Sequence, residues 1–358
     1  MFSVAAFMVQ TKDYIIATRN HNELQFESGR KFGNSDTAGL QHKGMAIVNS
    51  HPKFVKLDEL NPTVQGDWEN KFDYQYSSVS EAIVTCLIRN MDTDTQFKSV
   101  EYDFELFDMG NKKVSGTISD NYLSENESEW ILSSGHTTVT HTTVDLDTYV
   151  SNVIDVKSDS KLPNLIEMMV NQNVNPETAK HFLIQQIGFD ILTGNRDRLN
   201  NPSNFVFAHN VEKEESYPVN MDYGRCLQLP IWSKTAEQNF ELESEYYEED
   251  IDDFAKDMIS KNDSIYHSLN INESILKLNE NGYQPFKINM ANLTSDLDKL
   301  KDKINSLDVP FKKFATVKIE AFKQALQLPQ IQKLWQNTEI QLDFSGLEER
   351  NDTHGTNI

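Results

Sequence analysis

The chain is poor in positive charge: its 358 residues carry 33 lysines and arginines against 55 aspartates and glutamates, a formal net charge of −22. Such an excess repels nucleic acid and anionic membranes, so neither is expected as a direct partner. Cysteine is scarcer still, with only Cys86 and Cys226, too few for a disulfide framework although one bridge stays open. No apolar run approaches the roughly 18 residues of a membrane span. The opening MFSVAAFMVQTKD has neither the basic start nor the apolar length of a secretory signal, and a cytoplasmic location is the expectation. Internal repeats, a G-x-G-x-x-G loop and a Walker A loop are missing as well; Gly39-Leu40-Gln41-His42-Lys43-Gly44 does not follow the G-x-x-x-x-G-K-[ST] order. His136 and His141 have no third ligand at metal spacing.

What the chain does have is length for a sizeable core, 38% hydrophobic residues and a mean hydropathy of −0.56, the profile of a soluble globular protein. The stretch from Ile184 to Arg225 organises the rest. It reads as the end of an apolar helix, a polar turn rich in Asp, Arg and Asn, a strand at Asn204–Phe207, a charged hairpin loop, and a second strand ending in Met221-Asp222-Tyr223-Gly224. Phosphoryl transfer needs a carboxylate to orient the attacking hydroxyl, an amide and a carboxylate on Mg²⁺, and cations on the phosphates. Asp197, Asn204 and Asp222 are candidates for the first three, with Asn200 and Asn201 as rivals of Asn204.

Upstream, residues 4–18 and 45–57 contain β-branched and apolar runs that read as strands of an antiparallel sheet. Alternation in Phe54-Val55-Lys56-Leu57 places Lys56 on the face opposite Val55 and Leu57. A helix follows, with Ser77 and Ser78 offering N-cap groups and Glu81 opening an amphipathic run. Glu81 is then a candidate partner for Lys56. Residues 99–118 alternate again and turn at Met109-Gly110-Asn111, as a hairpin does. From about residue 145 the pattern is helical. Asn175-Pro176-Glu177 is a helix start, and that helix carries Phe182, Leu183, Ile187 and Ile191 toward a core. Further helices are expected at Leu293–Leu307 and Val317–Leu334. The acidic run Glu241–Asp253 reads as a solvated face, and the tail 345–358 as disordered.

Asn195-Arg196-Asp197-Arg198 with Asn204-Phe205, followed by Asp222-Tyr223-Gly224, resembles the HipA-like and CtkA-like bacterial Ser/Thr kinases, with Tyr223 where Phe usually stands. Two departures mark the loop. Leu199 replaces the usual His, and Asn204 lies seven positions beyond Asp197, two more than in the N-x-D-R-H-x-x-N-F pattern. Gly39-Leu40-Gln41-His42-Lys43 is similar to the G-A-Q-x-K element of HipA-like kinases, and Gly116–Leu123 to the CtkA-like hinge. The resemblance implies an α+β, bilobal protein-kinase-like fold. Its sheet-rich N-lobe would span residues 1–120, with one helix, and its mainly helical C-lobe 121–344. It implies an ATP- and Mg²⁺-dependent serine/threonine protein kinase. Lys56 with Glu81 would hold the phosphates, Gly39 and Lys43 would approach them from a loop, Asp197 would act on the hydroxyl, and Asn204 with Asp222 would hold the metal. It further implies autophosphorylation, at Ser35 or Thr37, a protein substrate, and an antitoxin-like or regulatory protein partner. The alternatives are a kinase-fold nucleotide-binding module without turnover, and a small-molecule or lipid kinase.

Overall fold

The structure is a computed structural model that describes residues 15–18, 23–26, 41–48, 51–60, 73–92, 98–109, 112–120, 130–134, 166–167, 169–171, 173–195, 205–210, 215–227, 231–233, 252, 255, 275, 278–279 and 282–336. In chain order the strands of the first part are β1 (Ile15–Thr18), β2 (Glu23–Phe26), β3 (Gln41–Val48), β4 (His51–Leu60), β5 (Tyr74–Tyr76), β6 (Met91–Asp92), β7 (Lys98–Ser99), β8 (Asp103–Asp108) and β9 (Lys113–Asp120). Later come β10 (Trp130–Ser134), β11 (Phe205–Asn210), β12 (Glu215–Asn220), β13 (Ile231–Ser233) and β14 (Lys287–Ile288). The helices are α1 (Ser78–Arg89), α2 (Pro176–Thr193), α3 (Met290–Ser306), α4 (Lys312–Ala325) and the short α5 (Pro329–Gln332).

The content is mixed α/β, and the largest sheet curls back on itself. Its strand order is β13-β5-β4-β3-β1-β2-β8-β9, with β9 returning to pair with β4. Most pairings are antiparallel, β1–β3 and β2–β8 being parallel. Closure has a simple cause in β4, which is flanked by β3 and by β9 over the same residues. Val55 and Leu57 point into the curl, where they pack with Phe107 and Val114 as a small separate core. Lys56 and Asp58, one residue out of phase, face α1 instead.

The main core is continuous from Tyr76 through α1 and α2 to Phe311, Phe322 and Leu334 near the end of the described chain. Helix α1 is buried on all sides from Ser78 to Leu87, with Val79, Ala82, Ile83, Cys86 and Leu87 sharing one apolar face. Its far end is fastened to α3 by Asn90, whose amide donates to Asp296 at 3.0 Å. Helix α2 is capped by Asn175, which accepts from the amides of Glu177 and Thr178, and it ends on Gly194 at φ 60°. The left-handed conformation suits glycine at that place. Nearly every residue of α2 from Phe182 onward is buried, and Gly188 leaves room for the Tyr283 ring, which an added methyl would meet at 2.3 Å.

Two local expectations change. The helix expected over Val317–Leu334 is divided, because Pro329 lacks an N–H and opens a new short turn, α5. Ser77 does not cap α1 with its own side chain; the cap comes from Asp58 in β4. Both cysteines are buried and free, so no bridge forms, and burial pushes the Cys86 thiol up to about 12. The tail 345–358, the strand run before Ile15 and the acidic run apart from Asp252 lie outside the described residues.

Gly116 tests the curl. A methyl there would sit 2.4 Å from the Lys56 carbonyl oxygen and 3.0 Å from Leu57 Cα, both backbone atoms that cannot swing away. Gly116→Ala is expected to lower stability by about 2 kcal/mol or more, read as a lower urea midpoint; a midpoint equal to the parent's would show that β4 and β9 are not held this closely.

Candidate functional site

Three elements meet at Lys56. β4 presents the lysine, α1 presents Glu81, and the turn after β12 presents Asp222. Lys56 Nζ lies 2.6 Å from Glu81 Oε1 and 2.9 Å from Asp222 Oδ1. The other Glu81 oxygen, Oε2, accepts from Thr117 Oγ1 at 2.8 Å. Thr117 is the register partner of Lys56 on β9, and Lys43 is its register partner on β3. Lys43, Lys56 and Thr117 thus form one row across the sheet.

The turn itself is held from beneath. Asp222 has φ 58°, a left-handed conformation that Asp adopts more readily than bulkier residues. Tyr223 is fully buried, its ring edge-on to Tyr102 at 5.7 Å and against Phe189 of α2 at 6.0 Å. Its hydroxyl, the group that distinguishes it from phenylalanine, donates to the Asn220 carbonyl at 2.8 Å. Gly224 lies so close to Ser77 and Lys56 that an added methyl would be 3.1 Å from Ser77 Cβ and 3.2 Å from Lys56 Nζ. Beyond it, the Leu227 amide donates to the Thr193 carbonyl at 2.9 Å. That bond brings the end of α2, and with it buried Asn195 at the head of the Asp197 loop, beside the Asp222 turn.

Burial pulls the Lys56 ammonium down, but Asp222 and Glu81 together outweigh this and hold it above the ordinary lysine range. Burial pushes Glu81 up, helped by the Asp222 carboxylate and opposed by Lys56 and Thr117. The two directions across one pair express a single fact: one ammonium faces two carboxylates, so it stays charged and the negative side is in excess. Such a site favours the arrival of a further cation.

Of the residues expected from sequence, the structure brings together Lys56, Glu81 and Asp222, and places Lys43 on the same sheet row. Gly39, Ser35, Thr37, Asp197, Asn200, Asn201 and Asn204 lie outside the described residues. Of the expected hinge, residues 116–120 belong to β9 and the rest lies outside the description. β11 opens at Phe205, the residue after Asn204, and pairs Phe205 with Asn220, so the strand-loop-strand expectation holds. Among the described residues no three His, Cys, Asp or Glu side chains gather as a metal cluster.

Sequence reasoning missed Asp58 and Lys318, and reached Gln41 and Thr117 only as members of the Gly39–Lys43 and Gly116–Leu123 resemblances, without their contacts at the site. Asp58 was within reach, being two residues after Lys56 and so on the same strand face. Thr117 was not, because the β4–β9 register is a long-range fact. Gln41 donates to the Gln75 carbonyl and to Ser77 Oγ at 3.1 and 2.8 Å, binding β3 to the start of α1.

A crystal structure of a Helicobacter pylori proinflammatory kinase, CtkA, is similar to this chain at 15% identity and a TM-score of 0.48, covering 85% of this chain and 96% of that one. No family model and no curated protein sequence matches the chain. No described helix is long and apolar enough to cross a membrane.

Removing the ammonium leaves two carboxylates facing each other, one of them fully buried. Lys56→Met is accordingly expected to cost about 3 kcal/mol in urea unfolding at neutral pH. A loss below about 1 kcal/mol, the scale of an exposed pair, would show that Lys56 is not the hub of the site.

Proposed function

We propose that the chain is an ATP- and Mg²⁺-dependent phosphotransferase with a bilobal, protein-kinase-like fold that acts on serine or threonine of a protein. The observation that carries this reading is the Lys56 ammonium held between Glu81 at 2.6 Å and Asp222 at 2.9 Å. A strand lysine paired to a helix glutamate, beside a carboxylate on an Asp-Tyr-Gly turn, is the arrangement that phosphoryl transfer uses to place ATP phosphates next to their metal. The bond from Leu227 to Thr193 supports it further, since it brings the end of α2, four residues before Asp197 in the chain, against that turn.

In this reading the sheet-rich lobe spans residues 1–120 and the helical lobe 121–344. Lys56 contacts the α- and β-phosphates and Glu81 orients it. Gly39 and Lys43 approach the phosphates from β3 and the loop before it. Asp222 and Asn204, or Asn200 or Asn201 in its place, would hold Mg²⁺, which when bound would spread the negative charge that develops on the phosphates. Asp197 would accept a hydrogen bond from the attacking hydroxyl and align it. The acceptors would include the chain itself, at Ser35 or Thr37, and the partner would be a cytoplasmic protein. Leu199 in place of His, with the two extra loop residues, favours a second reading, a module that holds nucleotide without turning it over.

Incubating the purified chain with γ-labelled ATP and Mg²⁺, followed by peptide mapping, tests the proposal. Labelled Ser or Thr peptides are expected, and retention of unhydrolysed ATP with no labelled acceptor would establish the second reading. Asp222→Ala is expected to weaken Mg·ATP binding about tenfold or more in calorimetry, the loss of one charge-assisted contact. Unchanged affinity would remove Asp222 from the metal site. Asp197→Ala should keep nucleotide affinity while transfer falls by about 10² or more, and equal transfer by variant and parent would exclude it from the reaction.

A further inference from the structure

The first turn of α1 is gripped from two sides by buried charged groups that phosphoryl chemistry does not itself require. From β4, Asp58 Oδ1 accepts from the amides of Ser77 at 2.9 Å and Ser78 at 3.0 Å. Its Oδ2 accepts from Ser78 Oγ at 2.5 Å and from Ser115 Oγ of β9 at 2.7 Å. From α4, Lys318 Nζ donates to Ser80 Oγ at 2.9 Å and stands over the Phe314 ring at 5.5 Å. Asp58 is 0% exposed and Lys318 1%. Glu81 is the residue that follows Ser80.

The two grips link the parts that meet at Lys56. Asp58 is on the lysine's own strand and fixes where α1 begins relative to it. Cys226, buried just beyond Gly224, acts electrostatically on Lys318, and Gly224 lies so close to the start of α1 that an added methyl would be 3.1 Å from Ser77 Cβ. Fold stability gives no reason for the buried ammonium: replacing a buried ionic group by an apolar one of similar volume is often neutral or stabilising. A carboxylate at a helix N-terminus does satisfy free amides and suits the dipole. An ammonium in the same turn suits neither, and its observed partner is a hydroxyl.

We infer that Asp58 and Lys318 are positioning residues that clamp the first turn of α1, so that Glu81 meets Lys56 only while the clamp is closed. The inference deepens the phosphotransferase reading, on which its catalytic consequence rests, whereas the geometry of Glu81 and Lys56 can be followed without any activity. The clamp carries a pH window. Burial pushes the Asp58 carboxyl up to about 6 against the four hydrogen bonds it accepts, and the titratable group facing it is Tyr76 of β5. Burial pulls the Lys318 amine down to about 8, with the Cys226 thiol facing it. Both groups are charged only between those limits. A raised carboxyl pKa favours the fold below the unfolded value, and that favour is lost as pH rises to about 6; a lowered amine pKa favours the fold at high pH, and that favour is lost as pH falls through about 8. At neutral pH, therefore, both charges work against stability while they hold the turn.

The experiment uses the full chain with Asp58→Asn and Lys318→Met. Three quantities are read: melting temperature, the labelling rate of Lys56 by an amine reagent located by peptide mapping, and kcat and KM for phosphoryl transfer. Both variants are expected to melt at or above the parent's temperature at pH 7. Lys56 should label about tenfold faster, the scale of one lost buried hydrogen bond to a charged group, and kcat should fall with KM for Mg·ATP little changed. A variant whose Lys56 labels as slowly as the parent's overturns the clamp. Should a variant fail to fold, the parent alone decides: after correction for intrinsic rates, amide exchange of Ser78–Glu81 is fastest between about pH 6 and 8, where both buried groups are charged and opening the turn releases them to water, and flat from pH 5 to 9 if the two groups do not hold the turn. Faster Lys56 labelling in a chain that transfers no phosphate would sink the phosphotransferase reading and leave the clamp standing; an active parent with unaffected Lys56 would do the reverse.

Discussion

Everything in this molecule that looks like chemistry depends on one ammonium group held away from water between two carboxylates. Taking Lys56 out of solvent is costly, and only close partners offset it. Those partners come from parts of the chain that are distant in sequence: Glu81 from a helix 25 residues later and Asp222 from a turn 166 residues later. The pair cannot form until the sheet, α1 and the hairpin of β11 and β12 are all in place. Folding and site assembly are therefore one event, and the core that runs unbroken from Tyr76 to Leu334 is the physical form of that dependence.

The curl of the sheet follows from the same need. A strand with a neighbour on each side has its amides and carbonyls satisfied in both directions, and β4 is such a strand around Lys56. Its side chains are then free to divide the work, Val55 and Leu57 filling the curl and Lys56 and Asp58 turning to the helix. An edge strand would have left the lysine backbone open to water and its position loose. Thr117 adds the last constraint by taking the second oxygen of Glu81, so that the carboxylate cannot rotate away from the ammonium.

Local signals were legible in the sequence, and long-range ones were not. Asn175 and Pro176 announced α2, Met109-Gly110-Asn111 announced the β8–β9 turn, and the alternation around Lys56 announced which face it occupies; each rests on neighbours within a few residues. The Asp222 turn and Glu81 stood out in the sequence by residue type and order, and the structure brings both to Lys56. The cap of α1 was misread: Ser77 is a good cap by type, yet the fully buried Asp58 carboxylate on β4 accepts two helix amides at once and wins the position. Thr117 reaches the site by strand register, and Lys318 through α4, which packs on α3 and touches α1 at Ser80, relations that no short stretch of residues encodes. The division of the last helix at Pro329 was, by contrast, written in a single residue.

The charge balance gives the site its direction. A chain with a net charge of −22 repels polyanions at long range, and the excess carboxylate at Lys56 repels them at short range too. In the phosphotransferase reading an anion would gain little by entering alone, whereas one that brought a divalent cation would convert the excess into an attraction, the cation meeting Asp222 and the anion Lys56. In the phosphotransferase reading this makes the metal and the nucleotide enter as one species. The ammonium then need not leave Glu81 to receive a phosphate: it lies between the helix carboxylate that orients it and the turn carboxylate that the metal would share. An arrangement of that kind exchanges few contacts on binding, which is how a preorganised site keeps its geometry through a reaction.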